Sequence, residues 1–80
     1  MRTSNDERTA LREFLEPRLP STGWSDDEDL FDAGLVDSFM AMEIVTFIEG
    51  HLGTAVPDEE IDIANFRTID AIAALMERLG

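Results

Sequence analysis

Apolar residues recur at helical spacing along most of this chain, and that pattern restricts its possible folds more than any other feature. When residues 38–52 are placed on a wheel of about 3.6 residues per turn, one face is apolar. That face consists of Ala41, Ile44, Val45, Ile48 and Leu52. No segment alternates apolar and polar residues as a strand does, and no internal repeat is present. The sequence therefore predicts an all-α fold.

A first helix is predicted over residues 5–16. Ser4 and Glu7 have the spacing of a capping box, in which each side chain accepts a hydrogen bond from a backbone N–H of the first turn. The apolar stripe of this helix comprises Leu11, Phe14 and Leu15. Pro17 and Pro20 then end the helix.

Two more main helices and one short helix are predicted after it. The second main helix covers residues 38–52 and is closed by Gly53. Asp62 is a suitable cap for the short helix, and Thr68 for the final one. A long connection over residues 19–37 separates the first two helices, and such a loop needs anchors. Its apolar anchors are Trp24, Leu30, Phe31 and Leu35. We therefore expect residues 1–80 to form one small four-helix bundle.

The formal net charge is −12, and it is unevenly distributed. Residues 19–66 contain twelve acidic residues and no Lys or Arg, whereas acids and arginines balance at both ends. A surface of this kind repels phosphate backbones and acidic membranes, so we expect neither nucleic acid nor membrane as a partner. It favours a protein partner with a basic surface, which would be attracted from a distance.

Catalytic and metal-binding patterns are largely missing. Cysteine is absent, and His51 is the single histidine, so the sequence offers neither a disulfide nor a Cys- or His-rich metal site. Ser38 and His51 are thirteen residues apart on one predicted helix, which separates them by roughly 20 Å. The acidic residues 26–29 lack the EF-hand pattern. Because these catalytic patterns are missing, we expect that the protein is not an enzyme. With no signal peptide and no apolar run long enough for a membrane span, we expect it to be cytoplasmic.

Ser38 is the strongest candidate for a functional residue. In one interpretation it is only the N-cap of the second helix, a common position for serine. In the other, its hydroxyl carries a phosphate, which the free N–H groups and dipole of a helix N-terminus stabilise. Phe39 falls on the outward face of that helix, which favours a contact surface beside Ser38.

Residues 30–39, Leu-Phe-Asp-Ala-Gly-Leu-Val-Asp-Ser-Phe, resemble the modification motif of acyl carrier proteins. The resemblance extends over nearly the whole chain, from the first helix and long loop to Val56-Pro57 and the final helix. It implies that Ser38 receives 4'-phosphopantetheine from coenzyme A, and that the thiol of this group carries an acyl unit as a thioester.

The resemblance also implies partners. A separate phosphopantetheinyl transferase with Mg²⁺ modifies Ser38, and acyl-loading and acyl-accepting enzymes with basic surfaces use the modified, monomeric protein. Asp37 is expected to assist recognition by the transferase. The expected docking face comprises Asp37, Phe39, Met42, Glu43, Thr46 and Glu49.

The cargo is a further expectation. Carriers of the fatty-acid type usually have Leu after the serine, and here it is Phe39. This form is more similar to discrete carriers of one small unit, either D-alanyl carriers or carriers of unusual polyketide extender units. We expect a polyketide or related pathway, with an aminoacyl cargo as the alternative. A second alternative is an acidic helical adaptor that binds a basic protein and has no prosthetic group.

Other residues have structural interpretations. Trp24 is predicted to anchor the long loop, and Arg67 to balance nearby acids. His51 is predicted to be solvated near the end of the second helix. Met40 and Phe47 are predicted at the core or at the edge of a pocket.

Overall fold

The structure is a computed structural model, and it describes residues 4–80. Its three α-helices are α1 (Ser4–Leu15), α2 (Ser38–Leu52) and α3 (Ile69–Leu79). No strand occurs within this range, which confirms the all-α prediction. The predicted short helix corresponds to the 3₁₀ turn Ile63–Asn65, and a second 3₁₀ turn that was not predicted, Asp58–Glu60, precedes it. The proposed side-chain contribution of Ser4 to a capping box lies outside the described side chains.

Local capping signals fix the helix ends. Gly53 adopts a left-handed backbone (φ 71°) and its N–H bonds the carbonyl of Glu49, so α2 closes as predicted. The Thr68 hydroxyl accepts a hydrogen bond from the Ala71 N–H at 2.9 Å and begins α3. The Asp62 carboxylate caps the second 3₁₀ turn by accepting a hydrogen bond from the Ala64 N–H.

One apolar cluster joins all three helices to both connections. Its fully buried members include Leu11, Leu15, Leu30, Ile44, Ile48, Phe66, Ile69, Ile72, Leu75 and Met76. On α2, Met40 and Val45 are buried with Ile44 and Ile48, as the core face requires. Ala41 and Leu52 are only half-buried, so the buried face is rotated slightly toward Met40 relative to the predicted one. No helix in the described range is long and apolar enough to cross a membrane.

The first half of the long connection is fixed to α1 and α3. Trp24 is buried, its indole N–H donates to the Ser21 carbonyl at 2.8 Å, and the Arg12 guanidinium lies over its ring. Asp26 forms ion pairs with Arg8 and Arg12, and its carbonyl accepts a hydrogen bond from the Asp70 N–H. Trp24 is therefore the predicted anchor, and the loop has little freedom despite its length.

The second half is held to the segment before α3. Arg67 donates to the carboxylates of Asp29 at 2.7 Å and Asp32 at 3.3 Å. The Leu30 N–H in turn donates to the Arg67 carbonyl at 2.7 Å. This arrangement, called the Arg67 clamp below, confirms that Arg67 balances nearby acids. It fixes the chain six residues before Ser38.

The ion pairs predict a loss of stability in acid. Hydrogen bonds from Arg12 hold the pKa of Asp26 below its ordinary value, and those from the Asp32 N–H and Arg67 do so for Asp29. A lowered folded-state pKa stabilises the fold above the unfolded-state pKa of about 3.9, and this stabilisation is lost as pH falls through the folded-state value. We expect the thermal midpoint to fall progressively as the pH drops below about 5. Asp26→Asn should make that decline shallower, and an unchanged slope would contradict the prediction.

Candidate functional site

Ser38 is the first residue of α2, and its side chain is exposed. The N-cap is the preceding residue, Asp37, whose backbone is extended (φ −120°, ψ −174°). The Asp37 carboxylate accepts a hydrogen bond from the Met40 N–H at 2.9 Å, and its carbonyl accepts the first helical bond, from the Ala41 N–H. The interpretation of Ser38 as the cap is therefore wrong, because Asp37 occupies the cap position and Ser38 is already the first residue inside the helix.

This position suits a phosphate attached to the Ser38 oxygen. The hydroxyl stands at the positive end of a helix of fifteen residues, where N–H groups and the dipole stabilise an anion. Asp37 opposes this effect because it brings a negative charge to the same turn. Its carboxylate, however, bonds the Met40 N–H, so part of its charge is compensated by the helix.

A tight turn before α2 presents Ser38 outward. The N–H groups of Leu35 and Val36 both donate to the Leu30 carbonyl, at 2.9 and 3.1 Å. Gly34 has a φ of 75°, a conformation that a residue with a side chain rarely adopts. Val36 is buried in the core. In this sequence Gly34 forms the turn, Val36 anchors the chain in the core, Asp37 caps α2 and Ser38 presents an exposed hydroxyl.

An apolar cleft of about 160 Å³ opens next to Ser38. It lies between the first turns of α2 and the segment that contains the two 3₁₀ turns. Its lining comprises Phe31, Ser38, Ala41, Met42, Ile61, Asp62, Ile63 and Phe66. Ile61 and Ile63 had no part in the predicted site, although their spacing around Asp62 signals two side chains on the same side of an extended segment. Both are exposed, which is unusual for side chains of this size.

The predicted docking residues differ in exposure. Phe39 and Met42 are exposed to 74% and 52%, and Thr46 is exposed on the next turn. Glu43 is half-buried. Glu49 is also half-buried, and one of its carboxylate oxygens accepts a hydrogen bond from the Val56 N–H at 3.0 Å. Asp37, Phe39, Met42 and Thr46 are therefore the exposed members of this face.

The opposite edge of α2 is aromatic. Phe47 stacks on Phe14 of α1, with ring centroids 4.6 Å apart, and it borders a groove of about 330 Å³. Met40 is buried. Phe47 thus lies at a pocket edge and Met40 in the core, as predicted.

His51 corrects the prediction of a solvated residue. It is half-buried and stacks on Phe47, and its Nε2 lies 3.6 Å from a carboxylate oxygen of Glu7. The Glu7 side chain is only 1% exposed. The pair links the start of α1 to the end of α2, far from Ser38. No group of three or more potential metal ligands was found in the described part of the chain.

Together, the fold and site define a small helical domain that presents the exposed Ser38 at the N-terminus of α2. The chain matches the family model of the phosphopantetheine attachment site over residues 8–76. It belongs to this family, whose covalent prosthetic group is 4'-phosphopantetheine.

Curated relatives are carrier proteins. The chain is 39% identical over 46 residues to the D-alanyl carrier protein of Streptococcus mutans serotype c, a match covering 58% of each chain. It is 33% identical over 51 residues to that of Lactococcus lactis subsp. cremoris (strain MG1363), covering 64% of this chain and 65% of the relative. The D-alanyl carrier protein of Streptococcus pyogenes serotype M1 is 36% identical over 53 residues, covering 66% and 67%. The matched segments thus span about three fifths to two thirds of the relatives' length.

Proposed function

We propose that residues 1–80 are one carrier domain, which bears its 4'-phosphopantetheine on Ser38. The observation that carries this proposal is the exposed Ser38 hydroxyl at the N-terminus of α2, with Asp37 serving as the cap. The hydroxyl has no capping role, so it is available for modification. When bound, the group supplies a thiol that holds cargo as a thioester.

The residues of this chain hold and present the attachment point. In the modification step, the Ser38 oxygen bonds to the β-phosphorus of coenzyme A, and the bond to the departing adenosine 3',5'-bisphosphate breaks. We assign the base that takes the hydroxyl proton to the transferase, because the neighbouring Asp37 carboxylate is engaged in capping α2. The chain is accordingly a carrier, and the catalysis belongs to its partners.

The cargo we propose is an aminoacyl group. The relatives are named D-alanyl carrier proteins, which supports the aminoacyl alternative over a polyketide extender unit. An alanyl thioester is the first cargo to test. The loading enzyme would then be an ATP-dependent amino-acid ligase, since forming a thioester from a free carboxylate needs an activated acyl group.

We place partner docking on the outward face of α2. Its members are Asp37, Phe39, Met42, Glu43, Thr46 and Glu49. Apolar side chains lie at its centre and carboxylates at its sides, an arrangement that fits an apolar partner surface bordered by Arg or Lys.

The test is intact mass after incubation with coenzyme A, Mg²⁺ and a broad-specificity phosphopantetheinyl transferase. We expect the wild-type chain to gain one phosphopantetheinyl group and Ser38→Ala to gain none. Circular dichroism should show that Ser38→Ala is folded. If the folded wild-type chain gains nothing, including with the transferase native to its source, the carrier proposal fails. Stable binding to a basic protein would then favour the acidic adaptor.

A further inference from the structure

The four large apolar side chains that are exposed in the described range lie around Ser38. They are Phe39, Met42, Ile61 and Ile63. Met42, Ile61 and Ile63 line the same cleft as Ser38, and Phe39 is its neighbour in sequence. Single exposed apolar residues need no explanation, but a cluster formed by two separate segments indicates a binding surface.

Ile61 and Ile63 are held in place from the protein side. The Asn65 side-chain amide donates to the Glu60 carbonyl at 2.7 Å, and Glu60 pairs with Arg78 of α3 at 3.1 Å. Asp62 caps the turn that follows. The segment Ile61–Ile63, called the isoleucine lip below, is therefore braced on both sides while its apolar side chains face solvent.

Several carboxylates around the lip have no arginine partner, although Glu60 pairs with Arg78. Arg8, Arg12 and Arg67 pair with carboxylates of the long connection or of α3. In contrast, five carboxylates beside α2 and the lip have no arginine partner within the described chain. They are Asp37, Glu43, Asp58, Glu59 and Asp62. An apolar centre with such a rim is complementary to an apolar surface bordered by basic side chains.

We propose that the isoleucine lip is a second docking element, which the phosphopantetheinyl transferase contacts together with Phe39 of α2. The proposal rests on the proposed function, because the transferase is the partner that must cover the surroundings of Ser38 in order to modify it. Ile63 is the principal contact of the lip, since it is 50% exposed and lies on the far side of the cleft from α2.

The test measures kcat/KM for modification of the apo protein by a broad-specificity transferase with coenzyme A and Mg²⁺. Ile63→Ser should lower kcat/KM about five- to tenfold, mainly through KM, as loss of an interface anchor does. Ile63→Leu keeps the apolar area and should remain within about twofold of wild type. Ile61→Ser provides a second variant of the lip. Thermal unfolding shows that each variant is folded.

A charge-matched pair tests the rim. Glu59→Gln and Glu13→Gln remove the same charge from exposed positions, one beside the lip and one on α1. Glu59→Gln should weaken the salt dependence of kcat/KM more than Glu13→Gln does.

The outcomes separate the two proposals. If wild type and all variants are modified at Ser38 at equal rates, the lip is not a docking element, but the carrier proposal stands. If wild type is never modified, the carrier proposal itself fails. If Ile63→Ser is slow through kcat with an unchanged KM, the lip acts on the position of Ser38, and the docking proposal is overturned.

Discussion

Phe66→Ala should lower the free energy of unfolding by about 3–5 kcal/mol, as truncation of a buried phenylalanine does. The Phe66 side chain is 2% exposed, belongs to the core and forms the floor of the cleft beside Ser38. A domain of this size has only a few kcal/mol of net stability. We therefore expect a fall in the thermal midpoint of more than about 12 °C, or a chain that is largely unfolded at room temperature.

Phe39→Ala is the matched control, because it removes the same atoms from a side chain that contacts solvent. Its effect on unfolding should stay within about 0.5 kcal/mol. Urea denaturation followed by circular dichroism measures both variants. If the two substitutions lower the free energy of unfolding equally, the Phe66 side chain is not buried in the core, and the prediction is wrong.

Asp37→Ala should cost about 1 kcal/mol, whereas Ser38→Ala should leave stability nearly unchanged. The reason is that the Asp37 carboxylate accepts the Met40 N–H, while the Ser38 side chain takes no part in capping. A conservative variant, Asp37→Asn, keeps a cap-forming oxygen and should recover most of the loss.

The same three variants separate folding from modification. Urea denaturation gives their stabilities, and intact mass after treatment with the transferase gives their modification. Ser38→Ala should be as stable as wild type and unmodified, and Asp37→Asn should be stable and modified. If Ser38→Ala is destabilised by about 1 kcal/mol or more, the Ser38 side chain does cap α2, and the prediction is wrong.

Local signals made most of the fold predictable. Gly53 and Thr68 end or begin their helices through contacts with residues only three or four positions away. Local signals alone do not decide whether Asp37 or Ser38 is the N-cap of α2. Both residue types are good caps, and the backbone angles that decide between them depend on how the preceding turn packs.

Tertiary contacts explain what the sequence did not predict. Glu7 is a charged residue expected on the surface, yet the packing of α1 on α2 buries it beside His51. Ile61 and Ile63 are of a type expected in the core, yet the bracing of Glu60 and Asn65 leaves them exposed. The Glu7–His51 contact and the Glu60–Arg78 ion pair that helps to hold this segment join residues distant in sequence, which hydrophobic spacing does not report.

The Arg67 clamp has a consequence for motion. The clamp and the turn at Leu30 hold the chain just before α2, so hydrogen bonds define where Ser38 lies relative to the rest of the domain. Under the proposed function, a prosthetic group on Ser38 would explore a volume set mainly by its own length, and the loop would add little to its reach. Two enzymes that use the same cargo must then each come within one tether length of this point. Because both enzymes would bind the same surface around Ser38, they would bind one at a time, and their dissociation rates would limit how quickly one replaces the other.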